Sequence, residues 1–204
     1  MYSFAYREGE LAQRETIFYL TMLKKLCALI LKLLGWKQEG EIPESRKFIV
    51  IVAPHTSNWD YVIGQLFYFS KGIRAKTMIK KELFFFPLNI LLKIIGGIPV
   101  ERSKKTNIVD QMVKEFEKNE EFILTITPEG TRKRVTNWKR GFYRIAIKAN
   151  VPVLLGYFDY KRKVVGIGGF FEITGDENED MKKIKKFYSN VTAKYPDKFS
   201  TGEE

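Results

Sequence analysis

Histidine occurs once in the 204 residues, at His55, within the stretch Ala53-Pro54-His55-Thr56-Ser57-Asn58-Trp59-Asp60. An imidazole titrates near neutrality and can serve as a general base. A carboxylate on one ring nitrogen would fix its tautomer and free the other nitrogen for that task. Asp60 offers such a carboxylate. On one continuous helix the five-residue step turns through about 500°, which leaves the two side chains roughly 140° apart. They can meet only if His55 lies in a loop and Asp60 in the first helical turn, with Ser57 or Asn58 as the N-cap. The same residues could also form a plain capping loop with a surface histidine. A second stretch, Ile126-Thr127-Pro128-Glu129-Gly130-Thr131-Arg132, joins a glycine suited to a tight turn to two anion donors, Thr131 and Arg132. A third, Gly96-Gly97-Ile98-Pro99-Val100-Glu101-Arg102, brings another arginine. A base beside two arginines suits a phosphorylated substrate.

The first two stretches open at the end of an apolar run that reads as a strand, and the third places Arg102 after a short strand of its own. Lys47 to Ala53 is apolar throughout after its lysine, as a buried parallel strand should be. Phe122 to Thr127 is similar, and Gly97 to Val100 is a brief strand. Further strands are expected over Ala75–Ile79, Val151–Phe158 and Val164–Ile173, the last of them antiparallel. Helices are expected over Asn58–Ser70, Pro87–Ile95, Thr106–Lys118 and Lys139–Ala149. Asp176 would cap a final helix running to about Ala193, with a frayed tail beyond Pro196. This alternation predicts a single α/β domain: a mixed, mostly parallel sheet flanked by helices. Ligands of such sheets bind outside the carboxyl ends of the strands, where His55 would sit.

The opening of the chain is different. Thr16 to Trp36 is mostly apolar but interrupted by Lys24, Lys25 and Lys32. No run reaches the ~20 apolar residues that crossing a bilayer requires. Wound as a helix, Thr21, Lys24, Lys25, Ala28, Lys32 and Gly35 share an arc of about 100°, and leucines and isoleucines fill the rest. A broad apolar face with a lysine stripe suits a helix lying in a membrane interface. The competing expectation is a helix docked on the protein's own core. Residues 1–36 therefore read as an amphipathic membrane-association segment and 37–204 as the catalytic domain. An internal start at Met22 would also be compatible.

The composition limits the function classes. One Cys excludes an internal disulfide framework, and one His with one Cys excludes the common zinc sites. The excess of 35 Lys and Arg over 24 Asp and Glu gives +11, which attracts nucleic acid, anionic lipid headgroups or phosphorylated substrates. The basic residues are spread along the chain, and no nucleic-acid-binding pattern accompanies them, so a nucleic-acid module is the weaker alternative. There is no G-x-S-x-G and no phosphate-binding loop of the G-x-x-x-x-G-K kind.

Taken together, the blocks resemble the glycerolipid acyltransferase family, best known through lysophosphatidate acyltransferases. His55 and Asp60 match its His-x4-Asp signature, and Pro128 to Arg132 match its Pro-Glu-Gly-Thr-Arg block without a substitution. Gly96 to Arg102 corresponds loosely to its Gly-x-x-Phe-x-x-Arg block, departing at Val100 and Glu101. Val151-Pro152-Val153-Leu154-Leu155 meets its last block, with Gly156 in place of the final proline. Lys80-Lys81-Glu82-Leu83 is also similar. The resemblance spans roughly Phe48 to Gly156.

The resemblance implies that His55, oriented by Asp60, deprotonates a hydroxyl of a lysophospholipid, most simply 1-acyl-sn-glycerol 3-phosphate. Arg102, Glu129, Gly130, Thr131 and Arg132 would bind the acceptor. Acyl-CoA or acyl carrier protein would be co-substrate, with no further cofactor, no metal and no nucleic-acid partner. Another lysolipid, such as an aminoacyl lipid, is the alternative acceptor. The implied setting is peripheral: the cytoplasmic face of a membrane, on an anionic inner leaflet, in a bacterium.

Overall fold

Strand β2 (Lys47–Ala53) organises the molecule. Every residue after Lys47 in it is buried. Successive side chains point to opposite faces. Phe48, Val50 and Val52 enter a core with Leu31, Ile63 and Phe67. Ile49, Ile51 and Ala53 enter another with Met112, Phe142, Ile145 and Ile184. A strand covered on both faces must be apolar at every position, which explains the unbroken run.

The computed structural model describes the backbone of residues 2–101 and 107–202, and the side chains of residues 15–101 and 108–202. Around β2 lie β1 (Lys37–Glu39), β3 (Lys76–Lys80), β4 (Gly97–Val100), β5 (Phe122–Ile126), β6 (Val153–Asp159) and β7 (Val164–Phe171), in the order β1-β7-β6-β2-β5-β3-β4. Strands β6 and β7 pair antiparallel and the other pairs are parallel. The expected α/β architecture is therefore present. Helices α1 (Tyr2–Leu33) and α2 (Asn58–Ser70) supply the core on one face. On the other face the core comes from α4 (Asn107–Lys118), α5 (Gly141–Ala149) and α6 (Glu177–Tyr188). The short α3 (Leu88–Ile94) has no buried residue.

The sequence reading missed β1, a three-residue edge strand too short and polar to carry a period. The final helix ends earlier than expected, at Tyr188. That residue is fully buried and its hydroxyl donates to the carbonyls of Ile51 and Gly156, at 2.7 and 3.0 Å. The chain then leaves the helix and offers the Thr192 carbonyl to the Tyr160 N–H. The tail beyond Pro196 is not frayed. It forms a short 3-10 turn, and the Trp138 indole donates to the Ser200 carbonyl at 3.0 Å.

Helix α1 starts well before the expected Thr16. Cys27 and Leu31 are buried, as is Trp36 just beyond the helix. The Lys24 stem lies over Gly72, where an added Cβ would fall 2.1 Å from its Cε. Lys24 and Ala28, read from the sequence as part of the lysine stripe, thus lie on or beside the docked arc. Lys24, Lys25 and Lys32 all remain exposed, so it is the Lys24 stem alone that reaches the docked side. Phe18, Tyr19, Met22, Leu23, Leu26, Leu29, Leu33 and Leu34 are also exposed, and they cover an adjoining arc of roughly 160°. The helix is docked on one side and apolar outside on another.

Candidate active site

Three adjacent parallel strands, β6, β2 and β5, end at the same side of the sheet. Registers Ile51↔Ile126 and Ala53↔Tyr157 fix their alignment. The chain leaves β2 through a cis Ala53–Pro54 bond into the His55 loop. Ser57 then caps α2, and Asp60 completes a capping box as its third helical residue. His55 therefore lies in a loop and Asp60 in the first helical turn, the one arrangement in which they can meet. His55 Nδ1 is 3.2 Å from Asp60 Oδ2. That oxygen also accepts the N–H groups of Thr56 and Ser57, both at 2.8 Å. Asp60 is 1% exposed, whereas His55 is 21% exposed. An ionised carboxylate only accepts, so Nδ1 carries the proton and Nε2 is left basic. Helix α2 also presents its positive end to the carboxylate.

From β5 the chain passes to Pro128 and Glu129. The Glu129 carboxyl accepts the His55 backbone N–H at 2.8 Å and is 4% exposed. Its other oxygen, Oε1, is buried and has no hydrogen-bond partner among the described residues. Burial raises its pKa to about 8, opposed by the His55 N–H and assisted by the charge of Asp60. Glu129 thus ties the two loops together instead of reaching for an anion. Gly130 has φ +67°, and a Cβ there would fall 2.7 Å from Lys139 Nζ. The left-handed backbone is what calls for glycine at this turn, since the lysine chain that a Cβ would meet is flexible.

His55, Asp60, Gly130, Thr131 and Arg132 all line one cleft of about 1020 Å³. Of the site residues expected from the sequence, Glu129 stands just behind this wall, and Arg102 lies outside the described residues. The sequence reading missed Lys139, Arg140 and Arg144, which line the same cleft together with Lys80. They fall outside the motifs and among many other basic residues, so spacing did not single them out. It also missed Tyr160, whose hydroxyl donates to Asp60 Oδ1 at 2.6 Å. Among the described residues no group of three or more His, Cys, Asp or Glu converges as a metal site would.

A base with a free nitrogen facing a cationic cleft can take a proton from a hydroxyl on an anionic molecule. The acyltransferase family model matches residues 37–154, more than half of the chain. The chain belongs to this family. The glycerolipid acyltransferase resemblance of its motifs agrees with that assignment, and the enzyme is a transferase of acyl groups. Its fold is similar to that of the 1-acyl-sn-glycerophosphate acyltransferase PlsC of Thermotoga maritima. The two share 19% identity and a TM-score of 0.61 over 90% of this chain and 84% of that one. No curated protein sequence matches the chain. In this chain the matched segment contains β2, α2 and β5, and so His55, Asp60 and the Pro128 to Arg132 block.

Proposed function

We propose that the protein transfers an acyl group from acyl-CoA or acyl carrier protein to the free hydroxyl of a lysophospholipid. The proposed acceptor is 1-acyl-sn-glycerol 3-phosphate and the product phosphatidate. The observation that carries the reading is the single cleft in which the His55–Asp60 pair faces the Gly130–Arg132 turn and further cations.

His55 Nε2 takes the hydroxyl proton while Asp60 holds the imidazole through Nδ1. The hydroxyl oxygen attacks the thioester carbonyl, forming the C–O bond of the new ester. The C–S bond breaks and the leaving thiolate takes the proton back from the imidazolium. No covalent acyl-enzyme is required. The acceptor phosphate is held by Arg132 and the Thr131 hydroxyl, with Lys139 beside them. No cofactor beyond the thioester co-substrate enters this scheme.

We further propose that the enzyme works from a membrane surface. No described helix is long and apolar enough to cross a bilayer. The exposed apolar arc of α1, with Lys25 and Lys32 at its border, supports an interfacial position on an anionic leaflet. Leu83, Phe85, Phe86, Ile90, Leu91 and Ile94 form a second exposed apolar patch. This patch supports either lipid contact or the start of an acyl path.

The test is transfer from radiolabelled acyl-CoA to a panel of lysolipids, with vesicle and DNA binding measured in parallel. The expected outcome is labelled phosphatidate and binding to anionic vesicles. Labelling of an aminoacyl lysolipid alone would replace the acceptor. DNA binding without any transfer would overturn the reading.

A further inference from the structure

Asp60 has two carboxylate oxygens, and the His55 contact uses only one. Oδ2 receives the Thr56 and Ser57 N–H groups and the imidazole. Oδ1 receives the Tyr160 hydroxyl, at 2.6 Å. This phenol belongs to no motif. It reaches the site because β6 lies beside β2, so that the chain leaving Asp159 arrives at the same sheet end as His55.

Tyr160 is itself held from several directions. Its N–H donates to the Thr192 carbonyl at 2.9 Å. Asp159 fixes the following turn by accepting the N–H groups of Lys161 and Arg162, both at 3.0 Å. The Trp36 ring meets the Tyr160 ring edge to face, with centroids 5.0 Å apart at 87°. Lys194 Nζ stands 5.9 Å from the Tyr160 ring centroid, and Lys163 Nζ 5.5 Å from that of Trp36.

We infer that Tyr160 is a positioning residue for the His55–Asp60 pair, and that Trp36, just past the end of α1, holds it in place. The inference rests on the reading of His55 as the base. A short hydrogen bond from a neutral phenol fixes the plane of the carboxylate. It also draws negative charge toward Oδ1, away from the oxygen that faces the imidazole. Burial, the bond to Asp60 and the charge of Asp60 push the phenol well above its ordinary range, so it stays a donor at any working pH. The other titratable or charged groups around the pair are Glu129 behind the His55 loop, Lys194 and Tyr195 on the C-terminal segment, Tyr61 on α2, and the cleft cations Lys80, Arg132, Lys139, Arg140 and Arg144.

Through Trp36 the link extends to the N-terminal helix. Trp36 is buried in the same core as Leu31 of α1. A helix whose other side is free to meet lipid thus ends one aromatic contact from the group that orients Asp60. The site and the surface-facing element share a side chain pair.

The test uses Tyr160→Phe, which keeps the ring and removes only the hydroxyl. Because His55 is the one histidine, its imidazole resonances can be followed in the full chain without ambiguity. In Tyr160→Phe, kcat is expected to fall about 10-fold or more with both KM values little changed, as for one lost hydrogen bond to a charged group. The imidazole titration is expected to move to higher pH, since the carboxylate oxygen facing it gains charge. Trp36→Phe is expected to shift both readouts in the same direction by less, and no change there would remove Trp36 from the link. Wild-type kcat and titration in Tyr160→Phe would overturn the inference. So would a loss of activity that tracks a lower Tm with the titration unmoved. The titration needs no substrate, so it remains decisive if the acyl-transfer reading itself fails.

Discussion

The Glu129 carboxyl accepts the backbone N–H of His55 at 2.8 Å, joining the loop after β5 to the loop after β2. The two residues are 74 positions apart. The parallel register of Ile51 with Ile126 brings them together, so the sheet sets the distance between the base and the cationic turn. A side chain at the start of a proposed phosphate-binding turn thus holds His55, the proposed general base, by its main chain.

That relationship has a pH signature. Glu129 is raised from 4.5 to about 8 in the fold, chiefly by burial. Between those values the folded protein binds a proton that the unfolded chain has released. Glu129's contribution to stability is therefore complete below about pH 4.5 and is lost as pH rises through about 8. Glu129→Gln keeps an acceptor for the His55 N–H but cannot ionise. Its Tm relative to wild type is expected to climb from pH 5 to about pH 8 and to level off by pH 9. Parallel Tm curves for the two proteins across that range would show that Glu129 does not titrate in this way.

Arg132→Ala removes a charged donor from the cleft wall while leaving the Gly130 turn intact. The acceptor KM is expected to rise about 10- to 100-fold, the effect of one lost charged hydrogen bond. The acyl-donor KM is expected to change much less. Equal effects on both would move Arg132 to the donor side, where a phosphate of the thioester carrier would be its partner.

The proposed membrane contact separates from stability by residue choice. Leu23, Leu26 and Leu33 are exposed, whereas Leu31 on the same helix is fully buried. Replacing the three exposed leucines by Gln is expected to release the protein from anionic vesicles with little change in Tm. Leu31→Ala is expected to cost about 2–5 kcal/mol of stability and to leave vesicle binding per folded molecule unchanged. Replacing Lys25 and Lys32 by Gln should flatten the salt dependence of binding without abolishing it. Sedimentation with vesicles at low and high salt, beside thermal melts, reads all three outcomes. Undiminished binding after the leucine changes would assign the contact to Leu83–Ile94.

Much of this architecture was legible because the chemistry and the fold share boundaries. The β2 and β5 runs are apolar at every buried position, and each is followed at once by polar residues that have no place in a sheet. The helical offset between His55 and Asp60 then left one way for them to meet, and Ser57 at the cap realises it. Tyr160 was not legible for the opposite reason. It comes directly after β6, 100 positions from Asp60, and only the β6–β2 register makes them neighbours. The docked side of α1 was hidden too. Lys24 reads as a solvent charge, yet its stem covers Gly72, so the charge pattern misplaced the inner face by part of a turn.

The central claim is that His55, oriented by Asp60, takes the acceptor's proton. Single-turnover transfer to 1-acyl-sn-glycerol 3-phosphate tests it most directly, with lysolipid binding measured on the same preparations. His55→Ala is expected to abolish the chemical step while retaining most of the binding. Asp60→Asn should slow the step by up to ~10⁴ by analogy with such changes in other His–carboxylate pairs. Its fold should persist, because an amide oxygen still accepts from Thr56 and Ser57 while the amide nitrogen can donate to the Tyr160 hydroxyl oxygen. Transfer at the wild-type rate in either variant would contradict the account.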